Sequence, residues 1–182
     1  MFDHRTDALP LHTAPARRRV PLRAFLGRAL PLLALILAAE YYLGHRFRLG
    51  IDAQKDTCLD GARIVLIDTY DQNIWRGDLV AFRAERMAPY FEDGRTIVKL
   101  VAGVSGDRVR VDEVRTTVNG AEIARGLPLS DKLKKAPAAF RREETVPPGA
   151  YWVTGTTPKS FDSRYWGHVY DRQIIGRVYA LF

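Results

Sequence analysis

Cysteine is almost missing from this chain of 182 residues: Cys58 stands alone. One thiol cannot close an intramolecular disulfide, and with no second cysteine there is no CxxC pair and no Cys/His cluster of metal-binding spacing. In an oxidising compartment an unpaired thiol is a liability unless it is buried or used. Serine is missing from a particular place, the stretch between Gly50 and Asp68. Acidic residues are scarce at the start, where only Asp3 and Asp7 face Arg5, Arg17, Arg18, Arg19, Arg23 and Arg28. More than half of the net charge of +7 therefore precedes the first long apolar run. So basic a chain would suit a nucleic-acid binder, but no zinc spacing and no RNA-binding aromatic signature accompanies the charge, and no nucleic-acid partner is expected. No internal repeat is visible.

What is present begins with that apolar run, Ala29-Leu-Pro-Leu-Leu-Ala-Leu-Ile-Leu-Ala-Ala39, extended by Tyr41, Tyr42 and Leu43. Counted from Phe25 to Leu43 it is interrupted only by Arg28 and Glu40. A bilayer takes about 20 residues to cross, so the run is a short span. Its arginine-rich flank belongs on the cytoplasmic side, and Tyr41 and Tyr42 suit the far interface. A cleaved signal peptide and a buried core helix are the other readings of the same run. The division expected is a basic cytoplasmic tail over 1–24, a transmembrane anchor over 25–44 and one domain over 45–182 outside the cytoplasm.

From Ala62 onward the pattern is that of strands. Arg63–Ile67, Asp78–Phe82, Ile97–Val101, Arg108–Val111, Thr116–Val118, Tyr151–Thr154 and Ile174–Phe182 are short apolar or alternating runs bounded by turn residues. Asn119-Gly120 between two of them is a hairpin signal. Ala84–Arg95 reads as a loop, and Asp131–Arg142 as a short basic helix or a lid. The fold class expected is mainly β.

Two segments carry the chemistry. Thr96-Ile-Val-Lys-Leu-Val-Ala-Gly-Val-Ser-Gly-Asp-Arg-Val109 places Lys99 inside an apolar β-type run. A lysine is costly to desolvate there, so either its head reaches water or the amine has work to do. Ser160-Phe-Asp-Ser-Arg-Tyr-Trp-Gly167 gathers hydroxyls, a carboxylate, an arginine and aromatics into eight residues. With Arg76-Gly-Asp-Leu-Val-Ala-Phe82 and Val118-Asn-Gly120, and behind an N-terminal anchor, these segments resemble, in order, the boxes of type I signal peptidases.

That resemblance implies a signal-peptidase-like antiparallel β domain on one transmembrane helix. It also implies an activity: removal of leader peptides from exported precursors by a nucleophile–lysine dyad. The site would lie on the periplasmic face of a bacterial inner membrane, with the precursor and the lipid membrane as partners and no cofactor or metal. Lys99 would be the lysine of the dyad, Ser160 the hydroxyl bonded to it, and Asp162 with Arg164 the ion pair propping that region. An exposed Asp–Arg pair of little energetic worth is the plainer reading of the last two. Tyr165 and Trp166 read as packing residues, and Lys159, in a Pro-Lys-Ser turn, as solvated.

The family's serine nucleophile has no counterpart here. Cys58, followed by Leu59 and 41 residues before Lys99, best matches its position. A small buried hydrophobe is the plain reading of a free cysteine. The oxyanion hole would use the backbone N–H of Cys58. Asp56 stands where the family often has a hydroxyl, which leaves Thr57 as a stand-in donor. An unperturbed thiol has a pKa of about 8.5 against about 10.4 for a lysine, so a cysteine beside a lysine can rest as a thiolate–ammonium pair. Gly155-Thr-Thr-Pro-Lys-Ser-Phe-Asp-Ser-Arg164, with no Gly-Asp-Asn-Arg, looks like the conjugative-transfer branch that matures pilins and in some members joins their ends into a ring. The rival expectation is a catalytically inactive relative acting as an assembly factor of a conjugation or secretion apparatus.

Overall fold

The computed structural model describes residues 21–51, 63–88 and 90–181, so Thr57 and Cys58 lie outside the described residues. The chain divides into two compact units at Tyr42. Helix α1 (Leu22–Arg46) has no buried residue and contains Pro31. It is long and apolar enough, by length and composition, to cross a membrane. At 1.5 Å per residue its 25 residues reach about 37 Å, more than the roughly 30 Å of a bilayer core.

The second unit is built from two antiparallel sheets, in agreement with the mainly β expectation. The larger sheet contains β1 (Phe47–Ile51), β2 (Ile64–Asp68), β3 (Leu79–Arg83), β4 (Thr96–Gly103), β9 (Ala150–Thr154), β10 (Val169–Tyr170) and β11 (Ile174–Ala180). Their order across the sheet is β1-β2-β11-β3-β4-β9-β10. The smaller sheet, in the order β7-β6-β5-β8, contains β5 (Arg108–Val111), β6 (Arg115–Val118), β7 (Ala121–Arg125) and β8 (Arg142–Thr145).

Local sequence explains these strands. In β5, Arg-Val-Arg-Val, side chains alternate between faces, so Val109 and Val111 are buried while Arg108 and Arg110 are exposed. The β6–β7 connection has φ of 50° at Asn119 and 84° at Gly120, with Val118 paired to Ala121. Positive φ at both central residues is the primed turn that matches strand twist, and Asn-Gly is its preferred pair. The stretch 131–142, expected to be a short basic helix or a lid, contains no α-helix. It holds a single 3-10 turn, Pro137–Phe140, seated by the buried Phe140, after which Arg142 already begins β8.

One apolar cluster lies on the inner face of the larger sheet, with Val80, Phe82, Ile97, Val101, Val153, Phe161 and Val169 among its members. A second, around Val109, Val118, Phe140 and Trp152, fills the space under the smaller sheet. Two carboxylates are enclosed at strand ends. The guanidinium of Arg46 holds the Asp68 carboxyl below its ordinary value against the opposing effect of burial. Burial pushes Asp107 up, but the Val104 N–H, the Asn119 amide and Arg76 more than offset this and leave it lowered.

A folded-state value below the unfolded one means that each carboxylate contributes stability in full above its unfolded pKa, near 3.9. That contribution is lost as pH falls through the folded value. The urea midpoint of the domain is therefore expected to drop on acidification below about pH 4, and Asp107→Asn to flatten the drop. Titration of the midpoint against pH checks this, and identical profiles for the two proteins would refute it.

Candidate functional site

Lys99 sits in the middle of β4. Ile97 and Val101, two residues to either side, point the same way and are buried, and Val80 pairs opposite Lys99 on β3. The lysine stem thus lies against the apolar cluster of the larger sheet, and the residue is 0% exposed. Its head does not reach water. Nζ donates instead to Ser160 Oγ at 2.9 Å, across a sequence separation of 61 residues. Ser160 is itself fully buried.

The residues just after Ser160 fix the chain around it. Asp162 caps the one-turn helix α2 (Ser163–Trp166), its carboxylate accepting from Arg164 N. The same carboxylate receives Arg164 in a two-pronged pair, Nε to Oδ1 at 2.8 Å and Nη2 to Oδ2 at 2.9 Å. Its remaining capacity is taken by Gly155 N at 3.2 Å and Thr154 Oγ1 at 3.3 Å. Arg164 in turn donates to the carbonyls of Ser160 at 3.1 Å, Pro158 at 3.3 Å and Gly126 at 3.1 Å. One guanidinium therefore joins the chain on both sides of Ser160 to the start of the loop after β7.

The pair is 0% and 1% exposed, so the plainer reading of a surface Asp–Arg pair is overturned. Such a pair survives enclosure only when its other donors and acceptors are satisfied, as they are here. Burial alone lowers the Arg164 pKa, but the Asp162 carboxylate beside it more than offsets this and holds the guanidinium above its ordinary value.

Other participants are marked in the sequence only as part of a segment, or, like Thr154 and Arg142, are not singled out at all. Thr154 and Gly155 complete the shell of Asp162. The Ser163 hydroxyl accepts from Val153 N at 2.9 Å and so ties α2 to β9. Arg142 stacks over the Trp152 ring and donates to the Ser163 carbonyl, bridging the smaller sheet to α2. Tyr165, read as packing, does pack on Phe140 and Phe161, and its hydroxyl also accepts from Leu129 N at 3.1 Å. Trp166 packs on Phe82. Lys159 is exposed. Thr57 and Cys58, the candidates for nucleophile and oxyanion donor, belong to the segment joining the paired strands β1 and β2 and lie outside the described residues.

Part of one edge of β4 has no strand partner among the described residues. β9 ends at Thr154 opposite Leu100, and the chain then turns away as Gly155 N bonds to Asp162. From Thr96 to Lys99, β4 is paired only with β3 among the described residues. No group of three or more His, Cys, Asp or Glu able to hold a metal occurs among the described residues.

Residues 22–182 match the family model described as signal peptidase, peptidase S26. A probable signal peptidase I-2 of Synechocystis sp. is 32% identical over 111 residues, 59% of this chain and 47% of that protein. A signal peptidase I of Bacillus caldolyticus is 31% identical over 133 residues, 66% of this chain and 69% of that protein. A crystal structure of a signal peptidase I from Enterococcus faecalis V583 is similar at 25% identity, covering 62% of this chain and 99% of that one with a TM-score of 0.39. The chain spans about half the length of the Synechocystis protein and of a Leptolyngbya laminosa signal peptidase I. A match over 22–182, together with a buried lysine bonded to the serine of the final box, establishes that this chain belongs to the signal peptidase family, peptidase S26.

Proposed function

We propose that the protein is a membrane-anchored endopeptidase that removes leader peptides from exported precursors, with Cys58 as nucleophile and Lys99 as its proton partner. The observation that carries this reading is the fully enclosed Lys99 amine held by Ser160. An ammonium offers three donors, and one of the three is used by Ser160 among the described residues. Leaving the others without partners in an apolar site costs free energy, which favours a second polar group arriving beside Nζ. The Cys58 sulfur supplies it in this proposal.

The thiolate attacks the scissile carbonyl, and the negative oxygen is met by the Cys58 N–H, with Thr57 as second donor. The C–N bond then breaks as Lys99 gives its proton to the leaving amine, which leaves a thioester on Cys58 and a neutral Lys99. Lys99 next takes a proton from the water that attacks the thioester. The attack releases the acyl group as a carboxylic acid and regenerates the pair. The edge of β4 from Thr96 to Lys99, unpaired among the described residues, supports docking of the precursor as an added strand beside that dyad. Leu49, Ile51, Ile64, Tyr179 and Leu181 are exposed on β1, β2 and β11 and their flank, which supports a site close to the outer face of the membrane.

Pilin-like substrates of conjugative transfer, and closure of a pilin ring, are the finer form of the proposal. They rest on the Gly155–Arg164 sequence and on the greater openness of a thioester than an ester to attack by an amine. A product heavier by one water than the ring would show hydrolysis alone. An inactive homologue serving as an assembly factor is the rival. Cys58→Ala is expected to abolish cleavage of a purified precursor, and Cys58→Ser to retain part of it through the family's usual hydroxyl. Undiminished cleavage in both variants, measured by gel shift of the precursor, would exclude Cys58 as the nucleophile, and no cleavage by the unaltered protein would exclude the enzyme reading.

A further inference from the structure

Arg142 joins two parts of the β domain that lie 21 residues apart in the chain. It opens β8 of the smaller sheet, and its guanidinium lies over the Trp152 ring of β9, 4.9 Å from the centroid. Nε donates to Glu144 Oε1 at 2.9 Å, two residues along the same strand, and Nη2 donates to the Ser163 carbonyl. Ser163 is the first residue of α2, and the next residue, Arg164, holds the Ser160 carbonyl. From the smaller sheet, the arginine thus braces the turn that aims Ser160 at Lys99.

The brace has a titratable neighbour. His168 follows the Gly167 that ends α2, and its ring meets edge-on, at 5.5 Å, the same indole that Arg142 covers. The His168 side chain is 11% exposed, and Nε2 stands 3.9 Å from the Glu144 oxygen that Arg142 already uses. Nε2 is buried and makes no hydrogen bond among the described residues. Tyr170 of β10 also faces the ring, and Glu85, paired with Arg172, and Arg86 line the cleft beside it. Burial pushes the His168 pKa down, Glu144 pulls it up and Arg142 lowers it again, and the balance lies below the ordinary value of 6.5.

One carboxylate oxygen therefore stands between a permanent cation and a ring that can become one. A charged His168 draws Glu144 away from Nε and repels the guanidinium, and the fork that holds Ser163 loses its support. The ring takes a proton less readily enclosed than open, so the closed cluster is favoured in full above about pH 6.5 and gives way as the pH falls below that. We propose that Arg142 is a positioning residue for the cleavage reaction and that protonation of His168 releases it. The proposal rests on the leader-peptidase reading above.

Kinetics of the full-length protein in detergent micelles, on a purified leader-bearing precursor, test it. Arg142→Met is expected to lower kcat about tenfold with KM unchanged, at a temperature well below its melting transition. A role confined to stability would leave kcat of the folded protein unmoved. In the unaltered protein kcat is expected to fall roughly threefold or more between about pH 7.5 and about pH 5.5, and His168→Phe, whose ring still packs on Trp152, to level that fall. His168→Gln makes the same comparison if the phenylalanine variant does not fold. An unchanged kcat in Arg142→Met, or the same pH ratio with and without His168, would overturn the proposal and leave the leader-peptidase reading standing. If the unaltered protein cuts no precursor, that reading fails and the proposal with it.

Discussion

Lys99→Met is expected to abolish precursor cleavage, by about 10⁴-fold or more, while leaving the domain at least as stable as before. The two halves of this expectation have different sources. Activity is lost because methionine has the length of the lysine stem but neither gives nor takes a proton. Stability is kept because the stem lies on the buried face of β4 with Ile97 and Val101, where a flexible apolar chain fills the same space. The substitution orphans the Ser160 hydroxyl, a cost of about 1–3 kcal/mol. It also removes the desolvation of an amine, which is several kcal/mol when charged and enclosed. Cleavage kinetics and the melting temperature of the same preparation read both halves. A variant that is inactive and also melts far lower would show that Lys99 holds the fold, and the dyad would lose its main support.

Arg164→Ala is expected to destabilise the domain by about 3–5 kcal/mol, because it leaves the Asp162 carboxylate enclosed without its counter-charge. The same change frees the carbonyls of Ser160, Pro158 and Gly126 from their shared donor. Urea unfolding measures the loss, and a change under about 1 kcal/mol would mean that solvent reaches the carboxylate after all. Arg164→Lys is a poor rescue, since an ammonium cannot make the two-pronged contact with Asp162 while reaching three carbonyls. In a preparation that still folds, cleavage falls along with stability, because the Ser160 backbone that aims the hydroxyl at Lys99 has lost its tether.

How far these features were readable before folding depends on what marks them. Strands with one apolar face, such as β5 and β6, announce themselves by alternation. β8, Arg-Glu-Glu-Thr, has no apolar face and is held by pairing with β5, so no pattern reveals it. β1 follows α1 without a break, and its alternating Phe47, Leu49 and Ile51 are too few, directly after the anchor, to stand out as a strand. Lys99 was legible because a charge inside an apolar strand is anomalous on its own. Ser160, Asp162 and Arg164 were legible only as a box, through the resemblance. That Arg164 is enclosed could not be seen, since burial is decided by Gly126 and Thr154, distant in sequence. Arg142 is one arginine among many, and nothing local says that it would bridge two sheets.

The short unpaired stretch of β4 bears on how such an enzyme would spare its surroundings. Thr96 to Lys99 amounts to about 13 Å of strand edge at about 3.3 Å per residue. A chain can use it only by surrendering its own backbone hydrogen bonds over that length. Folded proteins hold those bonds in helices and sheets, and they would have to unfold locally before docking. The junction between a leader and a domain still emerging across a membrane has no such commitment. On the function proposed here, the fold would thus discriminate by conformation before it reads any side chain, and mature exported proteins would be safe beside a protease that never leaves them.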